Sequence, residues 1–211
     1  MRRLGAFLGL LIALLVAAIP ARAAVTIDFY SHELNLLARG GNTYFPHGFV
    51  ILRGSTEDGA PVSGNYGFTA RNIFINVLWE RVTGEMDPTP LPPGYVEGAN
   101  HRFSLTLTDA QYRAVLATVE RWRNWPQPSY DIDERNFVIF VKEVAQAVGL
   151  QVSDDRKFVR APIEFLGDVA QRNAALLSAQ GPQSAPLQPV PASNTQTLEQ
   201  RVRELEAARS R

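Results

Sequence analysis

Tyr130-Asp131-Ile132-Asp133-Glu134-Arg135-Asn136-Phe137-Val138-Ile139-Phe140-Val141 is the stretch whose reading decides the fold. It is polar through Arg135 and turns apolar immediately after Asn136. Asparagine is a strong N-cap, because its side-chain oxygen accepts from amides that the first helical turn leaves without partners. Phe137, Phe140, Val141, Val144, Ala145 and Val148 then recur at helical spacing and give a broad apolar face. Gly149 is a natural C′ stop. Asp131, Asp133 and Glu134 read as a solvated loop whose negative charge favours the start of that helix.

Downstream, Phe158, Ile163, Phe165 and Leu166 are expected core contacts in a run of structure ending near Leu177. Residues 178–194 are rich in Gln, Pro, Ser and Ala. They lack the apolar side chains that would offset ordering entropy and read as a disordered linker. Residues 195–211 form a helix-prone tail, with Leu198, Val202 and Leu205 at a/d-like spacing and Glu199–Arg203 as an i,i+4 pair. A solvent-exposed helix is the first expectation there. Weak self-association through residues 197–209 is the sharper one.

Upstream, Thr108-Asp109-Ala110-Gln111 is a capping-box signature, followed by the stripe Tyr112, Val115, Leu116, Val119 and Trp122. Trp125-Pro126 ends that helix. Arg102 to Thr108 alternates as a half-buried strand does, with Phe103, Leu105 and Leu107 on one side. Residues 87–98 hold four prolines and two glycines and must be a loop. Ile73, Phe74, Val77, Leu78 and Arg81 fit one helical face, closed by Gly84. Phe45–Leu52 and Val25–Tyr30 are strand candidates, and Gly40-Gly41-Asn42 and 54–59 are turn-like boundaries.

The chain has 211 residues, 45% hydrophobic and 20% charged, enough for one domain with a core. Arg2 and Arg3, the apolar run Leu4–Ile19, Pro20 and the Ala21-Arg22-Ala23 site make residues 1–23 a secretory signal peptide. No stable membrane span is expected after its cleavage. Removing Arg2, Arg3 and Arg22 leaves 18 basic against 21 acidic residues, a net of −3, so no nucleic-acid partner is expected. The domain should occupy residues 24–177, exported to a periplasm or beyond the cell. The chain contains no cysteine, which closes every disulfide, thiol mechanism and thiolate metal site. No cofactor and no metal site is indicated.

The three histidines differ in context. His32 follows the first strand among polar residues, so a surface role is expected. His101 shares parity with Phe103 and Leu105, placing it on the inner face at a strand end. His47, within Tyr44-Phe45-Pro46-His47-Gly48-Phe49-Val50-Ile51-Leu52, opens a hydrophobic strand, where a neutral imidazole can serve as a general base. Ser31, Ser55, Thr69 and Ser104 are the hydroxyls considered as nucleophiles. Neither a G-x-S-x-G elbow nor an H-E-x-x-H motif is present.

A histidine opening a strand, then some ninety residues later an Asn-Cys-x-His-Phe segment opening a helix, is the pattern of circularly permuted papain-like hydrolases. That group includes NlpC-like cell-wall enzymes and lecithin retinol acyltransferase-like proteins. The chain resembles it over roughly residues 25–150. His47 stands at the first motif, and Asn136-Phe137-Val138-Ile139-Phe140 at the second. Only His47, Asn136 and Phe140 match. Phe137 stands in the nucleophile position and Ile139 in that of the second histidine.

The resemblance implies an α+β fold, a small antiparallel sheet packed against helices in permuted papain-like order, with a degenerate site at His47, Asn136, Phe137 and Ile139. It implies an exported, catalytically inactive relative of NlpC-like cysteine hydrolases. Such a protein would bind or scaffold cell-envelope material: a peptide, a glycan or a lipid. The alternative is hydrolysis of ester or amide bonds by non-cysteine chemistry around His47.

Overall fold

The strand expected at Val25–Tyr30 is β1, Val25–His32, and it lies inside a sheet whose other members are β2 (His47–Ser55), β3 (Pro61–Ala70), β4 (Gly84–Met86) and β5 (Asn100–Leu107). A computed structural model describes residues 24–33 and 45–180. The expected signal peptide, the turn at residues 40–42, the linker from residue 181 and the C-terminal tail lie outside the described residues. The sheet order is β4-β3-β2-β1-β5, and every neighbouring pair is antiparallel.

Alternation sets the two faces. Val25, Ile27 and Phe29 of β1 lie on one side with Val50 and Leu52 of β2, Phe68 of β3, and Phe103 and Leu105 of β5. All of these are buried. Helices α1 (Asp109–Arg123), α2 (Phe137–Ala147), α3 (Pro162–Arg172) and α4 (Ala174–Ala179) cover this inner face. The class is therefore α+β. Phe158, Ile163, Phe165 and Leu166 are buried, as their spacing implies.

The locally encoded elements appear where the sequence puts them. Thr108 Oγ1 accepts from the Gln111 amide while Gln111 Oε1 accepts from the Thr108 amide, completing the capping box of α1. Asn136 caps α2, and Gly149 follows that helix with φ of 86°, a conformation that glycine adopts without strain.

Four expectations need correction. The segment around Ile73–Arg81 is not a helix: only Ile75–Leu78 forms a short 3-10 turn, and Gly84 opens β4 instead of ending a helix. Among the apolar residues of that turn only Val77 is buried, whereas Ile73 and Phe74 are exposed, so no stripe exists to dock a helix. Residues 61–70 form β3, which sequence pattern alone does not reveal. His32 is buried and not on the surface. His101 is not on the inner face. The β1–β5 register shifts between Phe29 and Tyr30, pairing Phe29 with Phe103 and Tyr30 with His101. This bulge buries Arg102 and turns His101 to the outer face, against Tyr30. Helical order also continues to Ala179, past residue 178 where the linker was expected to begin.

The outer face is not bare. The proline-rich loop 87–98 folds across it. Asn65 Nδ2 donates to the Pro88 carbonyl at 2.9 Å, and the His32 ring packs edge-on to Tyr95, 4.3 Å between centroids.

Candidate functional site

His47 is the first residue of β2 and shares the outward parity of Phe49. Its Nε2 lies 2.9 Å from Asp87 Oδ2, and both side chains are almost wholly buried. A carboxylate only accepts, so Nε2–H is the donor, and in the neutral ring Nδ1 is then the lone-pair acceptor. Asp87 enters from the residue after β4, where its amide donates to the Gly67 carbonyl at 3.0 Å and extends the β3–β4 ladder.

The dyad rests on Gly67. A Cβ at that position would stand 2.6 Å from His47 Nε2 and would collide with Asp87 Oδ2. The glycine is required here for space, not for backbone conformation.

Phe137 opens α2, and its ring meets His47 edge-on, 5.6 Å between centroids at 64°. Two residues ninety apart in sequence are thus brought together where strand β2 and helix α2 both begin. Gly48 permits this approach, since a Cβ there would lie 3.3 Å from the Val141 side chain.

Asn136 is fully buried and uses its whole amide. Oδ1 accepts from the amides of Val138 and Ile139 at 2.8 and 3.0 Å. Nδ2 donates to the carbonyls of Ile132 and Val159, each at 2.6 Å. It fixes the start of α2, and it occupies two helix amides that an incoming anion would otherwise use.

Ile139 is not brought to this site. It lies on the other side of α2, among Lys142, Asp154 and Phe158. Of the four residues the sequence singled out, His47 and Phe137 touch, Asn136 supports them, and Ile139 is elsewhere.

A groove of about 230 Å³ opens beside the dyad. Its walls come from Phe45, Ile73, Leu91, Ile132 and Phe137 among others, and its polar side chains are His47, Asp87, Thr69 and the hydroxyl-bearing Tyr95 and Tyr130. The β2–β3 ladder ends at Phe49–Gly67, and the groove lies beyond that end, lined by Pro46 and His47 where β2 begins and by Thr69 and Ala70 where β3 ends. His32 lies on the same face, where its Nε2 donates to the Tyr95 carbonyl at 2.8 Å. Burial pushes its pKa down, with that hydrogen bond opposing.

A second constellation has the residue types of a hydrolytic triad but not the wiring. Ser104 Oγ donates to Asp28 Oδ1 at 2.5 Å and lies 2.9 Å from His101 Nε2. With the hydroxyl proton directed to the carboxylate, His101 Nε2–H donates to Ser104. The imidazole is therefore a donor here, not a base. Arg53 forks onto the same carboxylate at 2.6 and 3.1 Å. Ser104 and Asp28 are both buried, and the group is a structural network. Ser31 is also fully buried, which removes it as a nucleophile.

The acidic loop before α2 is paired with arginines. Asp133 takes Arg160 bidentately, both distances 2.9 Å, and Arg81 reaches Glu134 at 3.0 Å. Among the described residues no group of three or more His, Asp or Glu side chains can hold a metal ion. No helix among them is long and apolar enough to cross a membrane.

Asp87 escapes a sequence reading. It is forty residues from His47, and its one local mark is that it precedes a proline, which holds it extended at the mouth of the loop. Comparison with protein-family models, with curated proteins and with solved structures finds no match.

Proposed function

We propose that the chain is an exported, catalytically silent binding or scaffold protein, a permuted papain-like relative of NlpC-like cysteine hydrolases that holds cell-envelope material in the groove beside His47. The observation that carries this reading is the meeting of His47 with the first residue of α2, with Asp87 on the far ring nitrogen. A base, its orienting acid and a helix start are in reach of one another, and the position facing the base is a phenyl ring. Phenylalanine supplies neither nucleophile nor proton, and it adds apolar wall to the groove.

Thermal shift and calorimetry with peptidoglycan peptides, glycan fragments and acyl lipids test the proposal. Stabilisation by one of these classes, lost on filling the groove with Thr69→Trp, is the expected result. A flat response to the whole panel overturns it.

The His47–Asp87 contact favours one second reading, in which the dyad activates water to cleave an ester or amide. Under that reading, turnover of activated esters falls at least about 100-fold in His47→Ala. Under the first, wild type and variant are indistinguishable from buffer.

A further inference from the structure

The chemistry of the groove narrows what it can hold, given the binding role proposed above. Its body is apolar, and beside Thr69 and the Tyr95 and Tyr130 phenols its polar groups are one histidine and one aspartate that share a hydrogen bond. The orientation of that histidine is fixed by its partner. Nε2–H is committed to Asp87 Oδ2, so the neutral ring presents Nδ1 as an acceptor.

Nδ1 has no hydrogen bond to any described residue. Three side-chain polar atoms of the described residues are fully enclosed without a partner, Ser31 Oγ, Arg102 Nε and Arg135 Nε, and His47 Nδ1 is not one of them. His47 keeps a small exposure, and its side chain lines the groove. Both polar groups of the dyad then ask for the same thing. Nδ1 accepts, and the Asp87 carboxylate accepts. A ligand carboxylate would bring like charge to Asp87 and offer neither of them a proton.

We infer that the groove selects a neutral amphiphile with one hydroxyl or N–H donor, which it places on His47 Nδ1, and that it discriminates against carboxylates and against aprotic analogues. A dry apolar cavity of about 150 Å³ takes benzene, and one water's share of liquid volume is about 30 Å³. The volume here therefore suits an apolar body of about eight carbons.

Three probes of equal chain length decide the matter: 1-octanol, its methyl ether and octanoate. They are titrated into the full chain at about pH 8.5, where an ordinary imidazole is neutral. Octanol should bind at least about 5-fold more tightly than either of the others, the ratio expected for one net hydrogen bond of about 1 kcal/mol. Nitrogen-15 NMR of the His47 ring should show Nε2 protonated and Nδ1 bare. The Nδ1 resonance should move on addition of octanol and not of the ether. His47→Phe keeps an aromatic wall, removes the acceptor and should level octanol with the ether. Should that variant fail to fold, the wild-type series and the ring spectrum still decide. Equal affinities for the three probes, or a ring protonated on Nδ1, overturn donor selection while leaving the groove as a binding site. Absence of binding by all three removes the groove reading, and this inference falls with it.

Discussion

Gly67 is where the candidate site is most sensitive to a single atom. A methyl group there must displace Asp87 or His47, and both are packed by neighbours. Gly67→Ala should therefore separate the dyad and destabilise the fold by about 1–3 kcal/mol, the usual cost of overpacking. Urea unfolding and the His47 ring spectrum measure the two effects. An unchanged midpoint with an unchanged spectrum would show that the pocket above Gly67 is slack. Phe137 carries the complementary test. A thiol at the first helical position, facing His47, should ionise below the ordinary cysteine value of about 8.5. In Phe137→Cys the thiolate absorbance reports that pKa directly. Titration at or above 8.5 would mean that the start of α2 is an ordinary helix start and that the hydrolase resemblance is accidental. The companion change Ile139→His adds nothing to this test, because Ile139 points away from the groove.

At the scale of elements, Asn136 ties α2 to two loops at once. Its oxygen caps the helix and its nitrogen holds the carbonyls of Ile132 and Val159. Asn136→Ala should cost about 2–4 kcal/mol, from the lost cap and two buried carbonyls left without a donor. Asn136→Asp keeps the cap but sets a carboxylate against those carbonyls. It should also destabilise, unlike an ordinary cap exchange; chemical denaturation of the pair distinguishes a junction residue from a simple N-cap. Helix α2 was legible in sequence because its cap, stripe and stop are local. The same holds for the capping box of α1. Strand β3 was not legible. Ser63, Gly64, Asn65 and Gly67 carry little apolar signal, and the strand is imposed by β2 and β4 on either side. The helix expected near Ile73 failed for the converse reason. Its i,i+4 pattern comes from Ile73 and Val77 lining the groove, not from packing on a core. His101 was misplaced because one bulge residue inverts the parity of a strand end. Of the site, His47 and Phe137 were singled out by what the hydrolase resemblance implies. Asp87 was not, since the contact that defines it depends on the β3–β4 ladder.

The whole molecule has no disulfide, so its stability rests on the inner-face core and on how the outer face manages buried charge. Asp28 is the central case. It lies in the middle strands of the sheet, almost wholly buried. Burial pushes its pKa up, but the nearby His101 ring and the hydrogen bonds from Arg53 and Ser104 outweigh this and hold it well below the ordinary carboxylate range. A carboxylate whose folded-state pKa is depressed stabilises the fold above its unfolded value, about 4, and that contribution is withdrawn as pH falls below it. Wild type should therefore lose stability progressively below about pH 4, because the unfolded chain takes up a proton at Asp28 that the folded network, with Arg53 on the carboxylate, does not. Asp28→Asn should be less stable than wild type at neutral pH, since it removes the charge that Arg53 and His101 face. Its acid limb should be flatter, and the gap between the two proteins should close on acidification. Comparing them cancels the exposed carboxylates Asp58, Asp154 and Asp155, whose pKa values are also lowered by their hydrogen bonds. Denaturation midpoints for both proteins between about pH 2 and pH 7 provide the measurement. Converging curves place the acid sensitivity of the fold in the Asp28 network. Curves that stay parallel down to the lowest pH would show that the network is not ionised as its geometry requires.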